Sequence, residues 1–112
     1  MNIAWNPQVL TDDFVVSSSL IEVGFGATSE VIENNPNRVA MVISTYGSQC
    51  VLNISPPSSQ NDGWQMISGQ GPTFFIYQDV GAMVGYNWYA FNFGGFGVSY
   101  VSIIETSYRP NR

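Results

Sequence analysis

In this chain of 112 residues, the side chains able to do chemistry are few, and the absences decide more than the presences. There is no histidine and no lysine; the cations are Arg38, Arg109 and Arg112. Without histidine the commonest general base is gone, and without lysine so are Schiff-base and Ser-Lys mechanisms. Carboxylate pairs remain, since glycoside hydrolysis needs only two across a cleft, about 5 to 9.5 Å apart. Asp12 and Asp13 are adjacent, so on a strand they point to opposite faces. Glu30 and Glu33 flank an Asn-Pro turn and read as solvated. The expectation is a chain that is not an enzyme.

Metal and cofactor chemistry is equally sparse. Cys50 is the single cysteine, which rules out an internal disulfide and a multi-cysteine zinc site. It sits in an apolar run and reads as a small buried hydrophobe. No Asp-x-Asp-x-Asp-Gly loop is present for calcium. Gly24-Phe25-Gly26 begins like a dinucleotide fingerprint, but Ser29 stands where the third glycine would be and no βαβ pattern surrounds it, so it reads as a turn. No cofactor and no metal are expected.

The elements that must position these residues are short strands. A 12.3 kDa chain fits one domain and one core. Apolar residues make up 45% and charged residues 10%, well under the usual quarter, so the exterior relies on Ser, Asn, Gln, Thr and Gly or on other subunits. The formal net charge of -5, with two of three arginines in the last four residues, argues against nucleic acid and against an anionic membrane. No leader pattern opens the sequence and no apolar run approaches a membrane span of about 18 residues, so a soluble product made in the cytosol is expected. Asn53-Ile54-Ser55 matches a glycosylation acceptor and in that setting is incidental.

Glycine and proline interrupt the chain often, and runs rich in Val, Ile, Phe, Tyr and Thr lie between them. Residues 1–12 carry Trp5 and Pro7 without a sustained pattern and read as an N-terminal arm; residues 13–112 read as the domain. Strands are expected at Phe14–Val23 and Ala27–Glu33 as a first pair, and at Arg38–Tyr46 after the turn Asn35-Pro36-Asn37-Arg38. Arg38–Tyr46 is apolar on both faces near its middle, which suggests a central strand. Gln49–Ser55 should return as a hairpin, followed by a polar loop at 56–63, a short anchor at Trp64–Ile67, and strands at Thr73–Gln78, Ala82–Val84, Tyr86–Phe93 and Val98–Ser107. Eight or nine such strands predict an all-β antiparallel sandwich, jelly-roll-like.

The aromatic residues, 14% of the chain, concentrate late in the sequence. On an extended Tyr86–Phe93, Tyr89, Phe91 and Phe93 share one face and Tyr86, Trp88 and Ala90 the other. A doubly apolar strand needs a cover besides its own core. An oligomer or partner contact through Trp5, Tyr86, Trp88, Tyr89, Phe91, Phe93 and Phe96 would supply it. Alternatively the rings cap the sandwich ends, or Trp64 and Trp88 form a platform for sugar rings.

The run Asn35-Pro36-Asn37-Arg38-Val39-Ala40-Met41-Val42-Ile43-Ser44 resembles a group of small tailed-phage virion proteins, in which an Asn-Pro-x-Arg-Val turn opens an apolar strand. Cys50–Ser55, Gly63–Ile67 and Val101–Glu105 match the later strand, anchor and closing strand of that pattern, so the resemblance spans roughly residues 30 to 107. It implies a β-sandwich, often oligomeric, in a virion. The expectation that follows is a capsid decoration or cement protein, homotrimeric and bound to a major capsid protein on the outer capsid surface, made in the host bacterial cytoplasm. A structural or carbohydrate-binding module of a tail or head fibre is the alternative. Arg38 is a candidate buried partner for Glu105.

Overall fold

The computed structural model of the protein describes residues 14–67, 71–94 and 97–109. Eight strands occur in the order β1 (Phe14–Val23), β2 (Thr28–Ile32), β3 (Arg38–Gly47), β4 (Cys50–Asn53), β5 (Trp64–Met66), β6 (Thr73–Ile76), β7 (Trp88–Asn92) and β8 (Ser99–Tyr108). Between β6 and β7 lie one helical turn, α1 (Tyr77–Val80), and a 3₁₀ turn at Gly81–Gly85. The strands form two four-stranded antiparallel sheets, ordered β1-β8-β3-β6 (sheet A) and β2-β7-β4-β5 (sheet B).

The pairing follows one rule. β4 pairs with β5, β3 with β6, β2 with β7 and β1 with β8. The chain is thus one long hairpin, nested outward from the β4–β5 connection and rolled into a two-layer sandwich. That is jelly-roll topology, and the expected fold class holds.

The roll also corrects two local expectations. β1 and β2 do not pair with each other, nor do β3 and β4; each connection crosses from one sheet to the other. The reason is the core: Val23 ends β1 and Val31 lies in β2, and both are buried between the layers. Only strands on opposite sheets can point such residues at one another. The turn between them is pinned to β7, with Ala27 N–H donating to Gly24 O (2.9 Å) and Gly26 N–H to Asn92 O (3.0 Å). Ala82–Val84, expected as a strand, belongs to the 3₁₀ turn, which buries Val84. Three residues between Gly81 and Gly85 are too few to display a period.

The core joins both inner faces: Met41, Ile43, Val101 and Ile103 from sheet A meet Cys50, Leu52, Met66 and Ala90 from sheet B. A file of rings runs through it, Trp64 edge-on to Phe75 at 5.2 Å and Phe75 tilted on Trp88 at 5.0 Å. Asn92 is the buried polar tie at the end of β7. Its amide donates to Val23 O and Gly97 O, both at 3.0 Å, and its oxygen accepts from Gly94 N–H at 3.1 Å. Every strong group on that side chain is occupied, so its burial carries little desolvation penalty.

Candidate interaction surface

The Asn-Pro turn is a structural knot. Asn35 caps it by accepting from Asn37 N–H (3.0 Å), while its amide donates to Ser107 Oγ (2.9 Å) on β8. Arg38 is 2% exposed, and its Nε meets Glu105 Oε2 at 2.9 Å. Its other nitrogens donate to Val84 O (2.8 Å), Tyr86 O (3.1 Å) and Glu33 O. Val84 lies in the 3₁₀ turn, Tyr86 directly after it and Glu33 directly after β2, so one guanidinium ties four pieces of chain together. A planar fork of five donors suits that task as lysine would not. Gly85 is required beside it, because a Cβ there would lie 2.6 Å from Asn35 O.

Sheet A presents the least expected surface. Strand alternation and the observed registers place Val16, Leu20, Ala40, Val42, Phe74, Ile76 and Ile104 on its outer side. Phe74 is 64% exposed, Val16 63% and Leu20 62%. The rows match across the sheet. Val42 lies between Ile104 and Phe74, Tyr46 faces Tyr100, and Phe14 stacks on Tyr108 at 5.1 Å. Glu22, paired with Tyr100, is the one charged residue of these strands on that side. Contiguous exposed apolar faces are the kind of surface on which proteins dock.

The residues singled out from the sequence fall in several places. Trp88 is 3% exposed and lies in the core, with its Nε1 donating to Met83 O at 3.0 Å, so it is neither an interface residue nor half of a sugar platform. Tyr89 and Phe91 do point outward from sheet B but are half-buried, as is Phe93 just beyond β7. Tyr86 is exposed in the turn before the strand. Trp64 is half exposed at the rim, on the inner side of β5 against Phe75, beside the polar loop. Asp62 closes that loop by accepting from Ser58 N–H (2.9 Å) and its hydroxyl (3.2 Å). Trp5, Phe96 and the arm at residues 1–12 lie outside the described residues.

A cleft of about 570 Å³ opens between β1 and β2 and contains Glu30, Glu33, Arg38 and Glu105. Three of those four charges are engaged structurally: Glu105 holds Arg38, and Glu30 accepts from Asn87. Among the described residues no group of three or more His, Cys, Asp or Glu is placed to hold a metal ion. Cys50 is fully buried, and that burial pushes its thiol pKa up, with the Thr45 hydroxyl at 3.8 Å acting in the opposite direction.

No protein-family model matches the chain, and no curated protein matches it. Among solved structures it is similar to one described as "Bacillus endospore appendages form a novel family of disulfide-linked pili", with a TM-score of 0.50 over 85% of this chain and 88% of that one. At 6% identity this similarity concerns the fold alone.

Proposed function

We propose that the chain is a non-enzymatic structural subunit that works by packing against copies of itself and a larger shell, in the specific form of a phage capsid decoration or cement protein. The single observation that carries the assembly part is the exposed apolar outer side of sheet A. Burying several large apolar side chains there contributes about 1 kcal/mol for each, since each is already partly covered. The virion part rests on the Asn35-Pro36-Asn37-Arg38-Val39 resemblance, and the jelly roll agrees with it as a fold-level analogy, since viral shell domains and lectins both use that architecture. A pilus-like subunit is the same class of work, but Cys50 is buried and offers no linking thiol.

Sedimentation of the purified chain, alone and with empty capsid shells, tests this reading. Oligomers and saturable shell binding are expected. A clean monomer at high concentration that ignores shells overturns it. The fibre-module alternative retains one supporting feature, the half-exposed Trp64 beside a polar loop, and predicts glycan binding that Trp64→Ala abolishes.

A further inference from the structure

The four sheet edges differ in how they are protected. β5 and β6 are three and four residues long, and β2 is short, carries Glu30 and has its register broken between Glu30 and Ile32. Short length, charge and bulges are the devices by which proteins stop edges from pairing with other chains. β1 has none of them over most of its length. Its ten residues pair with β8 in unbroken register, and among the described residues β1 has no partner on its other side. Residues 14–21 contain no charge and no proline. An edge that long and flat is a template for another strand.

The sequence of that edge is symmetric in character. Val15-Val16-Ser17-Ser18-Ser19-Leu20-Ile21 places two apolar residues, three serines and two apolar residues about Ser18. A two-fold axis requires this kind of self-complementarity, because residue i must suit j while j suits i. We infer that β1 pairs antiparallel with β1 of a second copy about a two-fold axis at Ser18, joining two A sheets into one eight-stranded sheet. In that register Val16 lies across from the partner's Leu20 on the outer side, and Val15 from the partner's Ile21 on the inner side. Val15 is 43% exposed without such a partner.

Charge agrees with that occupant, and area sets how weakly it is held. Each chain carries -5, so two copies approach best along an uncharged edge. Glu22 falls across from the partner's Phe14, about 27 Å along the strand from the partner's Glu22 and beyond the Debye length of about 8 Å. A strand edge about 30 Å long on a layer about 10 Å thick covers about 600 Å² over both copies, less than the ~1,200 Å² of a stable complex. The pairing is therefore reversible on dilution, held by about nine main-chain hydrogen bonds. It rests on the reading of the chain as a self-associating subunit, but uses the edge of sheet A rather than its outer side, and it links copies in twos whatever other symmetry the assembly has.

Disulfide trapping in the full chain tests the register. Opposed residues in an antiparallel pair have Cα atoms about 4.5 to 5.5 Å apart, within disulfide range, and buried Cys50 does not interfere. Ser18→Cys should oxidise mostly to dimer on a non-reducing gel. Val16→Cys and Leu20→Cys should each stay monomeric alone and cross-link when mixed. Ser18→Lys should lower self-association at least tenfold with an unchanged circular dichroism spectrum. If Ser18→Cys traps no more dimer than Val16→Cys, or the mixture stays monomeric, the inference is overturned. Should the wild type still sediment as an oligomer in that case, the outer-side reading survives alone. A trapped dimer whose sedimentation is indifferent to Phe74→Glu would instead leave the edge contact standing and remove the outer side.

Discussion

Sheet A and sheet B cover the same core, yet their outer sides have been finished differently. On sheet B the outward positions hold Glu30, Tyr89, Asn53, Gln65 and Phe91, and the aliphatic Val51 lies between Phe91 and Gln65 with no exposure at all. On sheet A the outward positions are mostly aliphatic and aromatic, and several are more than half exposed. The difference teaches that an aromatic-rich strand is not by itself an interface. The outward rings of β7, Tyr89 and Phe91, are half-buried despite their size. The outer side of sheet A, built on strands that look ordinary one at a time, leaves Val16, Leu20 and Phe74 more than half exposed.

The sharpest way to break this comparison is to act on the two sides of β7. Trp88→Ala should cost about 3 to 5 kcal/mol in urea unfolding, as loss of a core ring does. A variant of wild-type stability that merely fails to assemble would return Trp88 to an interface. Next in size is Arg38→Ala, at about 3 kcal/mol or more, because Glu105 and three carbonyl groups lose their donor together. Thermal melts of Arg38→Ala and Arg38→Lys would check it, with lysine recovering only part since it lacks the planar fork.

Contrasting the outer sides directly comes third. Phe74→Glu should reduce self-association at least tenfold, about 1.4 kcal/mol, while changing monomer stability by only about 0.5 kcal/mol at so exposed a site. Tyr89→Glu on sheet B should leave the sedimentation profile unchanged, and equal effects from both variants would erase the distinction between the sheets.

The smallest expected effect concerns Cys50 on the inner side of sheet B. Its folded pKa is raised, so above the ordinary thiol value of about 8.5 the unfolded chain releases a proton that the folded chain keeps. Stability from this group is fully present below that pH and declines as pH rises toward the folded value. Urea midpoints at pH 7 and pH 10 should therefore fall further for the wild type than for Cys50→Ala, and the native thiol should resist a thiol reagent at pH 7.

Much was determined by the sequence alone. Alternation fixes Phe14–Val23 to the residue, and turn chemistry locates the Asn35–Arg38 turn and the polar loop at 56–63. These features are local, set by period-two patterning and by residues that preset their own backbone angles. For Arg38 the sequence leaves two readings, a buried partner of Glu105 or an exposed arginine, and the fold selects the first.

Tertiary structure decided which strands became neighbours. Nothing within Gly24–Ala27 or Gly47–Gln49 tells a hairpin from a crossover between sheets. That choice follows from the need to aim Val23, Val31, Ile43 and Leu52 at one core. The same choice buried Trp88, shielded Val51, and aligned Val16, Val42, Ile104 and Phe74 into one exposed surface, because a shared face exists only once register is fixed.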